Sequence, residues 1–280
     1  MNELFFIYND QFFISGTPVI SAGNRSLRYG DGLFETMRLY NGQIRNVDFH
    51  FERLFKGLSD LQFEIKKSFS AEFLIKKIDA LLKKNRHEEN ARIRLMVFRG
   101  DGGIFDLQNN SPHYIIETWS LPGKIELNTN GLDIDVFPAS RKSCDQFSSL
   151  KTNNYLPYAM AGLFAKKNKL NDAILLNTRE RVCESAIANI FIIQDENIFT
   201  PPLSEGCVAG IMRRCLLEQK VFKQFHISEK ELSVEEVLNA DECFLTNSIH
   251  PVRWVKNFGE KKYKNQKVIE IFQCVLNNME

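Results

Sequence analysis

One lysine of this chain lies where it could act as a nucleophile. Lys151 follows the apolar Leu150 and precedes three small polar residues, ahead of a predicted helix. A lysine amine attacks carbonyl carbons and forms Schiff bases when burial or a nearby positive charge lowers its pKa. Taken alone, the segment is a weak signal, because most lysines are solvated surface groups, so other residues must support the chemical interpretation.

Two further segments could hold parts of a cofactor. Glu184 lies five residues before Asn189, which opens a strongly apolar predicted strand. A carboxylate there could bind a pyridinium nitrogen, or it could be a surface acid at a strand edge. Residues 206–214 form a glycine-containing turn that leads into a helix with Arg213 and Arg214 in its first turn. Free N–H groups at a helix start bind anions, and the alternative is an ordinary capped helix.

The elements that must position these residues follow from hydrophobic periodicity. Apolar residues at helical spacing predict one helix from Phe49 to Leu61 and a second from Leu74 to Leu82, after a Ser70 cap. The remaining predictions are strands at Arg92–Phe98, His113–Thr118, Leu132–Phe137, Ala173–Leu176, Asn189–Ile193 and Glu242–Thr246, and helices at Pro157–Lys167, near Gly210 and at Val268–Leu276.

This order predicts a mixed α and β chain in two halves, without the regular βαβ alternation of a doubly wound sheet. We predict an N-terminal α/β domain over 1–119, a linker over 120–125 and a C-terminal domain over 126–280. Neither a GxGxxG nor a GxxxxGK[ST] loop is present in a strand–loop–helix context, which argues against dinucleotide and Walker-type nucleotide binding.

Composition excludes several classes of function. The 280 residues carry a net charge of +1, which gives no electrostatic reason to expect nucleic acid or an anionic membrane as a partner. No apolar stretch is long enough for a membrane span, and the N-terminal residues do not have the pattern of a signal peptide, so we predict a cytoplasmic protein. The six scattered cysteines predict reduced, mostly buried thiols and indicate neither a disulfide framework nor a metal site.

Together these motifs resemble the class IV, or fold-type IV, family of pyridoxal-phosphate enzymes. That family includes branched-chain aminotransferases, D-amino-acid aminotransferases and aminodeoxychorismate lyases. The resemblance runs from residues 29–38 through His50–Leu54 to Phe244–Ser248, and Glu184 follows Lys151 by 33 residues, a spacing typical of the family. It implies two α/β domains with pyridoxal 5′-phosphate bound between them, largely by the C-terminal domain, in a homodimer.

The resemblance also implies roles for individual residues around the cofactor. Lys151 would form the Schiff base and move the proton between the substrate Cα and the cofactor, and Glu184 would keep the pyridine nitrogen protonated. The phosphate would be bound by Arg53, the backbone N–H groups of Ile211 and Met212, and Ser248. Tyr155 resembles the tyrosine that binds the phenolic oxygen of the cofactor, although it follows the lysine by four residues where branched-chain enzymes usually have five.

For the substrate, the positions that match the pocket of family transaminases are Tyr29, Arg38, Arg94, Ser248 and Ile249. The arginine and histidine that are typical of D-amino-acid aminotransferases after Arg99 and Gly100 are absent. None of the five histidines has an acid–base partner visible in the sequence, and we assign none of them to catalysis.

Three functions remain open from the sequence. The preferred one is a transaminase that moves an amino group from an amino acid, branched-chain or similar, to a 2-oxo acid, because Tyr155, Arg38 and Arg94 resemble a transaminase pocket. The alternative is an aminodeoxychorismate lyase that releases pyruvate and 4-aminobenzoate. A non-catalytic binding protein on the same fold is a third, although the lysine, glutamate and phosphate arginine positions are all filled.

Overall fold

The structure is a computed structural model that describes residues 3–106, 109–218 and 225–277. Helices and strands are mixed along the chain, as the sequence predicts. The chain forms two compact units. Unit 1 contains the residues up to Lys124 together with Lys151–Tyr155, and unit 2 contains Ile125–Leu150 and the chain from Leu156 onward. The linker over 120–125 remains a proposal. The structure also places Lys151, which follows this linker in the chain, in unit 1.

Unit 1 is built on an antiparallel sheet. Its strands are β1 (Phe5–Tyr8), β2 (Gln11–Ile14), β3 (Gly32–Tyr40), β4 (Gln43–Ile44), β5 (Ala91–Phe98) and β6 (His113–Ser120). Within the described residues the spatial order of the sheet is β2-β1-β6-β5-β3-β4. The two strands predicted over 92–98 and 113–118 are therefore confirmed. They pair with each other, and β5 pairs with β3.

The helices of unit 1 are α1 (Arg25–Tyr29), α2 (Val47–Asp60) and α3 (Ala71–Asn85). Helix α2 packs against β3, and α3 packs against β1 and β6. Both helices bury the leucines that defined their periodicity, among them Leu54, Leu58 and Leu74. The Ser70 hydroxyl accepts a hydrogen bond from the Phe73 N–H at 3.3 Å, so the predicted cap of α3 is confirmed.

A short backbone pairing attaches residues 151–155 to unit 1. The Phe34 N–H donates to the Lys151 carbonyl at 2.9 Å, and the Asn153 N–H donates to the Gly32 carbonyl at 2.8 Å. The Asn153 side chain also donates to the Ser26 hydroxyl at 3.1 Å. Lys151 is therefore held beside the first residues of β3 by main-chain bonds.

Unit 2 contains a mixed sheet. Its described strands are β7 (Leu132–Lys142), β8 (Asp172–Asn177), β9 (Val182–Ser185), β10 (Asn189–Gln194), β11 (Asn197–Thr200), β12 (His226–Glu229), β13 (Glu242–Thr246), β14 (Arg253–Phe258) and β15 (Lys261–Lys262). The spatial order is β12-β11-β10-β13-β14-β7-β8-β9, with β15 beside β14. Strand β7 is parallel to both of its neighbours. The sheet buries an aliphatic core that includes Ile174, Ile190 and Leu245.

The helices of unit 2 are α4 (Leu156–Lys167), α5 (Ile211–Glu218), α6 (Val234–Asn239) and α7 (Gln266–Asn277), and a short 3-10 turn spans Leu203–Glu205. Helices α4, α5 and α7 confirm the predicted helices. Strands β8, β10 and β13 likewise confirm the predicted strands. Helix α6 and the short strands β9, β11, β12, β14 and β15 were not predicted, because none of them has the three or more consecutive apolar residues of β8, β10 and β13.

Strand β7 is longer than the sequence indicates. The alternation of apolar and acidic residues predicts an end at Phe137, but the strand continues through Pro138 to Lys142. Its register against β8 shifts between Val136 and Arg141, which accommodates the proline, since proline is tolerated where the ladder is interrupted. Because of this extension, Lys142 is the last residue of β7.

The cysteines match their prediction. All six are free thiols, four of them buried and two half-buried. Among the described helices, none is both long and apolar enough to cross a membrane.

Gly32 is a position in unit 1 where backbone approach leaves no room for a side chain. A Cβ there would lie 2.6 Å from the Val97 carbonyl oxygen and 2.7 Å from the Phe98 Cβ. We predict that Gly32→Ala lowers the free energy of unfolding by about 1–3 kcal/mol, because the overpacked strands must separate. Chemical denaturation measures this change.

The matched control is Gly162→Ala in α4, where a Cβ would meet no atom within 4 Å. That substitution should stabilise the protein by about 0.5–1 kcal/mol, since alanine is the better helix former. Equal effects of the two substitutions would show that space at Gly32 is not limiting.

Candidate active site

Lys151 lies in a cluster of aromatic rings in unit 1. Its Nζ is 4.4 Å from the centroid of the Phe34 ring and 5.7 Å from that of Tyr155, and the two rings meet edge to face at 5.4 Å. The Arg94 guanidinium lies 4.4 Å from the Phe34 centroid. We call Lys151, Phe34, Tyr155 and Arg94 the Lys151 cluster. Its apolar surfaces and neighbouring positive charge are the two conditions that make a lysine amine nucleophilic.

The predicted substrate residues of unit 1 differ in their positions. Arg94 belongs to the Lys151 cluster, and burial lowers the pKa of its guanidinium, against the opposing effect of Glu117 on the neighbouring strand. Arg38 is on the same face of β3 as Phe34, but it is buried, donates to the Pro122 carbonyl at 3.2 Å and packs on Tyr40. Tyr29 ends α1 with its side chain exposed. The described contacts of unit 1 thus bring Arg94, and neither Arg38 nor Tyr29, against the rings around Lys151.

The predicted phosphate arginine belongs to a second group of residues in unit 1. The Arg53 Nε donates to Glu35 Oε1 at 2.8 Å, and its Nη2 donates to Oε2 at 2.5 Å. The His50 Nδ1 is 2.6 Å from Glu35 Oε2. We call these three residues the Glu35 cluster. His50 and Arg53 share one face of α2 because they are three residues apart. This ion pair fixes the orientation of the Arg53 guanidinium.

The charges of the Glu35 cluster depend on one another. Burial alone would raise the pKa of Glu35, but the charges and hydrogen bonds of Arg53 and His50 outweigh it and lower that pKa to about 2. Burial also lowers the pKa of His50, a shift that Glu35 opposes and that the charges of Arg53 and Lys151 reinforce. Glu35 is therefore an anion in the folded protein. His50 is close enough to Lys151 to sense its charge.

In unit 2, Glu184 is the centre of a buried hydrogen-bonded group. Its Oε1 accepts hydrogen bonds from Lys142 Nζ at 2.5 Å and from the Tyr158 hydroxyl at 2.7 Å. Lys142 Nζ also contacts the Tyr158 hydroxyl. The Val208 N–H donates to Glu184 Oε2 at 3.0 Å. We call Glu184, Lys142, Tyr158 and Val208 the Glu184 cluster.

The Glu184 cluster holds an ion pair away from water. Glu184 is 3% exposed and Lys142 is 8% exposed. Burial lowers the pKa of Lys142, but the adjacent Glu184 outweighs burial and raises it above its ordinary value. Two neighbouring thiols stay neutral, since burial raises the pKa of Cys183 and brings that of Cys207 to about 12. Lys142 is therefore the positive charge that compensates Glu184.

Glu184 and Asn189 together bind both main-chain groups of Val208, in the segment before α5. Glu184 accepts from the Val208 N–H, and Asn189 Nδ2 donates to the Val208 carbonyl at 2.9 Å. Gly210 follows closely, and a Cβ built on it would overlap the Asn189 Oδ1. The glycine is therefore required by close packing against Asn189. Both sequence-predicted motifs, 184–189 and 206–210, meet at this point of unit 2.

Helix α5 begins at Ile211, so the backbone N–H groups of Ile211 and Met212 lie in its first turn, as predicted. The sequence predicts that Arg213 and Arg214 add positive charge to an anion site here, but in the structure both are paired with acids. Arg213 is bound to Glu229 and donates to the Pro201 carbonyl at 2.8 Å, and Arg214 pairs with Glu218 at 2.7 Å. Acidic neighbours offset both positive charges, so the anion-binding capacity of this helix start rests on its backbone.

Ser248 and Ile249 lie in the turn after β13. Asn247 Oδ1 accepts from the Ile249 N–H at 3.0 Å and from the His250 N–H at 2.8 Å, and Asn247 Nδ2 donates to the Ile187 carbonyl at 3.3 Å. Since Asn189 pairs with Thr246 in the sheet, this turn is near the end of the sheet that carries Glu184. The amide of Ile249, a predicted pocket residue, is thus bonded within its own turn.

A comparison with known proteins gives the family of the chain. A family model for amino-transferase class IV matches residues 32–258. The chain belongs to the class IV aminotransferase family. The resemblance predicted from the motifs is therefore confirmed.

Class IV relatives of this chain include enzymes with different activities. The aminodeoxychorismate lyase of Bacillus subtilis is 30% identical over 92% of this chain and 88% of the relative. The aminodeoxychorismate lyase of Vibrio harveyi is 28% identical over 90% of this chain and 93% of the relative. The solved branched-chain aminotransferase of Thermoproteus uzoniensis has a TM-score of 0.87 at 22% identity, covering 100% of this chain and 96% of that one. The fold is fold-type IV, as predicted.

Class IV aminotransferases depend on pyridoxal 5′-phosphate, and the residues of this chain fit that cofactor. The ionised Glu184 suits a protonated pyridine nitrogen, and the glycine-containing approach to α5 suits a phosphate. In addition, the Thr246 hydroxyl is buried and has no hydrogen-bond partner among the described residues. A buried polar group of this kind indicates a missing ligand. It lies opposite Asn189 in the sheet.

Sequence reasoning missed Glu35, Lys142 and Tyr158. Glu35 had a recognisable signal, since it is an acid inside the long apolar strand β3 and must find a partner when buried. Lys142 and Tyr158 had none: they are 42 and 26 residues from Glu184 in the chain, and only the fold brings them together.

The Glu35 cluster predicts an acid dependence of stability. The folded pKa of Glu35, about 2, lies below its ordinary value of 4.5, so the unfolded chain binds more protons as the pH falls. The stabilisation is present above pH 4.5 and is lost as the pH falls toward 2. We predict that Glu35→Gln removes about 3 kcal/mol at neutral pH and flattens this acid dependence, measured by denaturation at each pH.

The matched control is Glu88→Gln, which removes an exposed carboxylate from the same unit. An unaltered acid dependence in Glu35→Gln would contradict the assignment of this titration to Glu35.

Proposed function

We propose that this protein is a pyridoxal-phosphate transaminase that moves an amino group from an amino acid, branched-chain or similar, to a 2-oxo acid. The observation that carries the proposal is the Lys151 cluster. Aromatic surfaces next to Lys151 suit an apolar substrate side chain, and one guanidinium beside them suits a carboxylate. A transaminase needs both, since its donor and acceptor differ in side chain.

Lys151 has the central role in this proposal. Bound pyridoxal phosphate supplies an electron sink that stabilises negative charge at the Cα of an amino acid. Lys151 Nζ would bind the cofactor and then move the proton from the substrate Cα to the cofactor. The Phe34 and Tyr155 rings exclude water on one side of the amine. The backbone bond from Phe34 to Lys151 limits the movement of the chain around it.

The other cofactor residues have separate roles. Glu184 would keep the pyridine nitrogen protonated. Its negative charge, which Lys142 compensates, suits it to that role. Arg53, Ser248 and the backbone N–H groups of Ile211 and Met212 would bind the phosphate. Because Glu35 fixes the Arg53 guanidinium, Arg53 would bind with little reorganisation. Tyr155 would hydrogen-bond to the phenolic oxygen.

For the substrate we propose Arg94 as the residue that meets a side-chain carboxylate. It is half-buried and stacked on Phe34 in the Lys151 cluster. Tyr29, Arg38, Ser248 and Ile249 remain proposed pocket residues from the resemblance. We also propose a homodimer on the same grounds, and a cytoplasmic location because the sequence has no apolar stretch long enough for a membrane span.

Aminodeoxychorismate lyase is a second candidate, and one observation favours it. The two curated relatives compared above, at 28% and 30% identity over nine tenths of this chain, both have that activity. In both reactions the same lysine would remove the Cα proton. The lyase then needs a leaving group at Cβ, whereas the transaminase places the proton on the cofactor.

Our first functional prediction concerns Lys151. Lys151→Ala should abolish turnover and the visible absorbance of the bound cofactor while leaving the fold intact, because no other amine would bind the cofactor covalently. Absorbance before and after borohydride reduction measures this, with circular dichroism for the fold. Lys167→Ala, an exposed lysine of α4, is the control. Retention of a borohydride-sensitive chromophore in Lys151→Ala would refute the assignment.

A second prediction concerns Glu184. Glu184→Gln should still bind the cofactor but lose rate by about a hundredfold, equivalent to about 2.7 kcal/mol of barrier, because a neutral amide holds the pyridine proton poorly. Single-turnover kinetics at saturating cofactor measures the change. An unchanged rate would remove Glu184 from the site.

One experiment tests the proposed function against the lyase. L-Glutamate, L-leucine and D-alanine are each mixed with the cofactor-loaded enzyme, and the conversion of the cofactor to its amine form is followed by absorbance. Conversion with at least one donor supports the transaminase. No conversion, together with 4-aminobenzoate release from aminodeoxychorismate, would establish the lyase instead.

A further inference from the structure

The hydrogen bonds of Glu184 leave one defined position for a ligand. Each carboxylate oxygen has two acceptor positions. Lys142 and Tyr158 both donate to Oε1, which fills it, whereas Oε2 accepts one bond, from the Val208 N–H. Within the described residues, the remaining acceptor position of this carboxylate is therefore on Oε2.

The same bonds determine the charge of Glu184. A carboxylate at 3% exposure loses nearly all of its hydration and becomes neutral unless a positive charge compensates it. The described side chains around Glu184 in unit 2 include one cation that contacts it. Lys142 is the cation, and Tyr158, Cys183 and Cys207 are neutral neighbours. Removal of Lys142 would thus leave a buried carboxylate without a countercharge.

We infer that Lys142 is a positioning residue that, with Tyr158, keeps Glu184 ionised and turned so that Oε2 receives the ring N–H of the cofactor. This inference rests on the proposed role of Glu184. Neither Lys142 nor Tyr158 would touch the reacting atoms. They would act through the Glu184 carboxylate, which is already ionised before the cofactor binds.

Val208 extends this effect to the phosphate-binding segment. Its N–H is bound by Glu184 and its carbonyl by Asn189, and the Gly210 N–H donates to the same carbonyl at 2.7 Å. A Glu184 that rotates away would release the Val208 N–H. Loss of Lys142 should therefore affect cofactor binding both at the ring nitrogen and at the start of α5.

Proton uptake tests the inference without relying on activity. Pyridoxal phosphate is added to the cofactor-free protein at neutral pH in buffers of different ionisation enthalpy, and calorimetry gives the protons taken up. Wild type, in which Glu184 is ionised before the cofactor binds, sets the reference value. In Lys142→Met the proton is already on Glu184, so uptake should fall by about one proton. Lys142→Arg should restore it, and Lys167→Met is the exposed control.

A double variant separates positioning from general stability. In Glu184→Gln the acceptor is neutral, so adding Lys142→Met should change neither proton uptake nor the cofactor absorbance further. Lys142→Met alone should lower kcat with little change in KM. An additional loss in the double variant as large as in the single one would overturn the inference.

If Lys142→Met does not fold, the wild-type protein still provides a test. The infrared difference between cofactor-free wild type and Glu184→Gln should show an ionised carboxylate, and a neutral carboxyl group would overturn the inference. The two proposals also fail differently. Wild type that binds no pyridoxal phosphate would refute the proposed function. Wild-type binding with unaltered proton uptake in Lys142→Met would refute only the role of Lys142.

Discussion

The structure depends on the compensation of buried carboxylates. A carboxylate removed from water becomes neutral unless cations and N–H donors replace its hydration. Glu35 is compensated by Arg53 and His50, and Glu184 by Lys142 and Tyr158. Glu205, fully buried before the Val208 segment, is bound by Arg181, Arg179 and Asn177. Of these acids, Glu35 fixes the Arg53 guanidinium and Glu184 fixes the Val208 N–H, which the proposed cofactor binding uses.

Local pattern and long-range compensation explain what could be predicted from the sequence. The helices α2 and α3 were predictable because their apolar spacing repeats over several turns, β5 because its apolar residues alternate with Arg92 and Arg94, and β13 because it has a short apolar run. The family was recognisable because the motifs around Lys151, Glu184 and Gly210 are short and local. The ion pair between Lys142 and Glu184 was not predictable. Its members belong to different elements, and β7 reaches Lys142 only by passing through Pro138.

The same distinction applies to Arg213 and Arg214. Their position in the first turn of α5 predicted additional positive charge for an anion, and that reasoning considered only the helix itself. The structure supplies Glu229 from β12 and Glu218 from the next turn of the helix. A sequence shows which charges an element carries. Their partners on neighbouring elements are set by the fold, so the net charge of a site is a tertiary property.

Substrate choice within this family has a different origin from cofactor binding. Transamination and elimination both begin with removal of the Cα proton, so a lysine, a buried carboxylate and a phosphate-binding helix start serve either reaction. Relatives of similar identity can therefore differ in activity while sharing these residues. What distinguishes the reactions is whether the pocket holds a leaving group at Cβ. In this chain we propose that the face of β3 and β5 that carries Phe34 and Arg94 decides between them. The Arg94 guanidinium is partly desolvated, so an anionic substrate group there would gain more than it would at a fully exposed arginine.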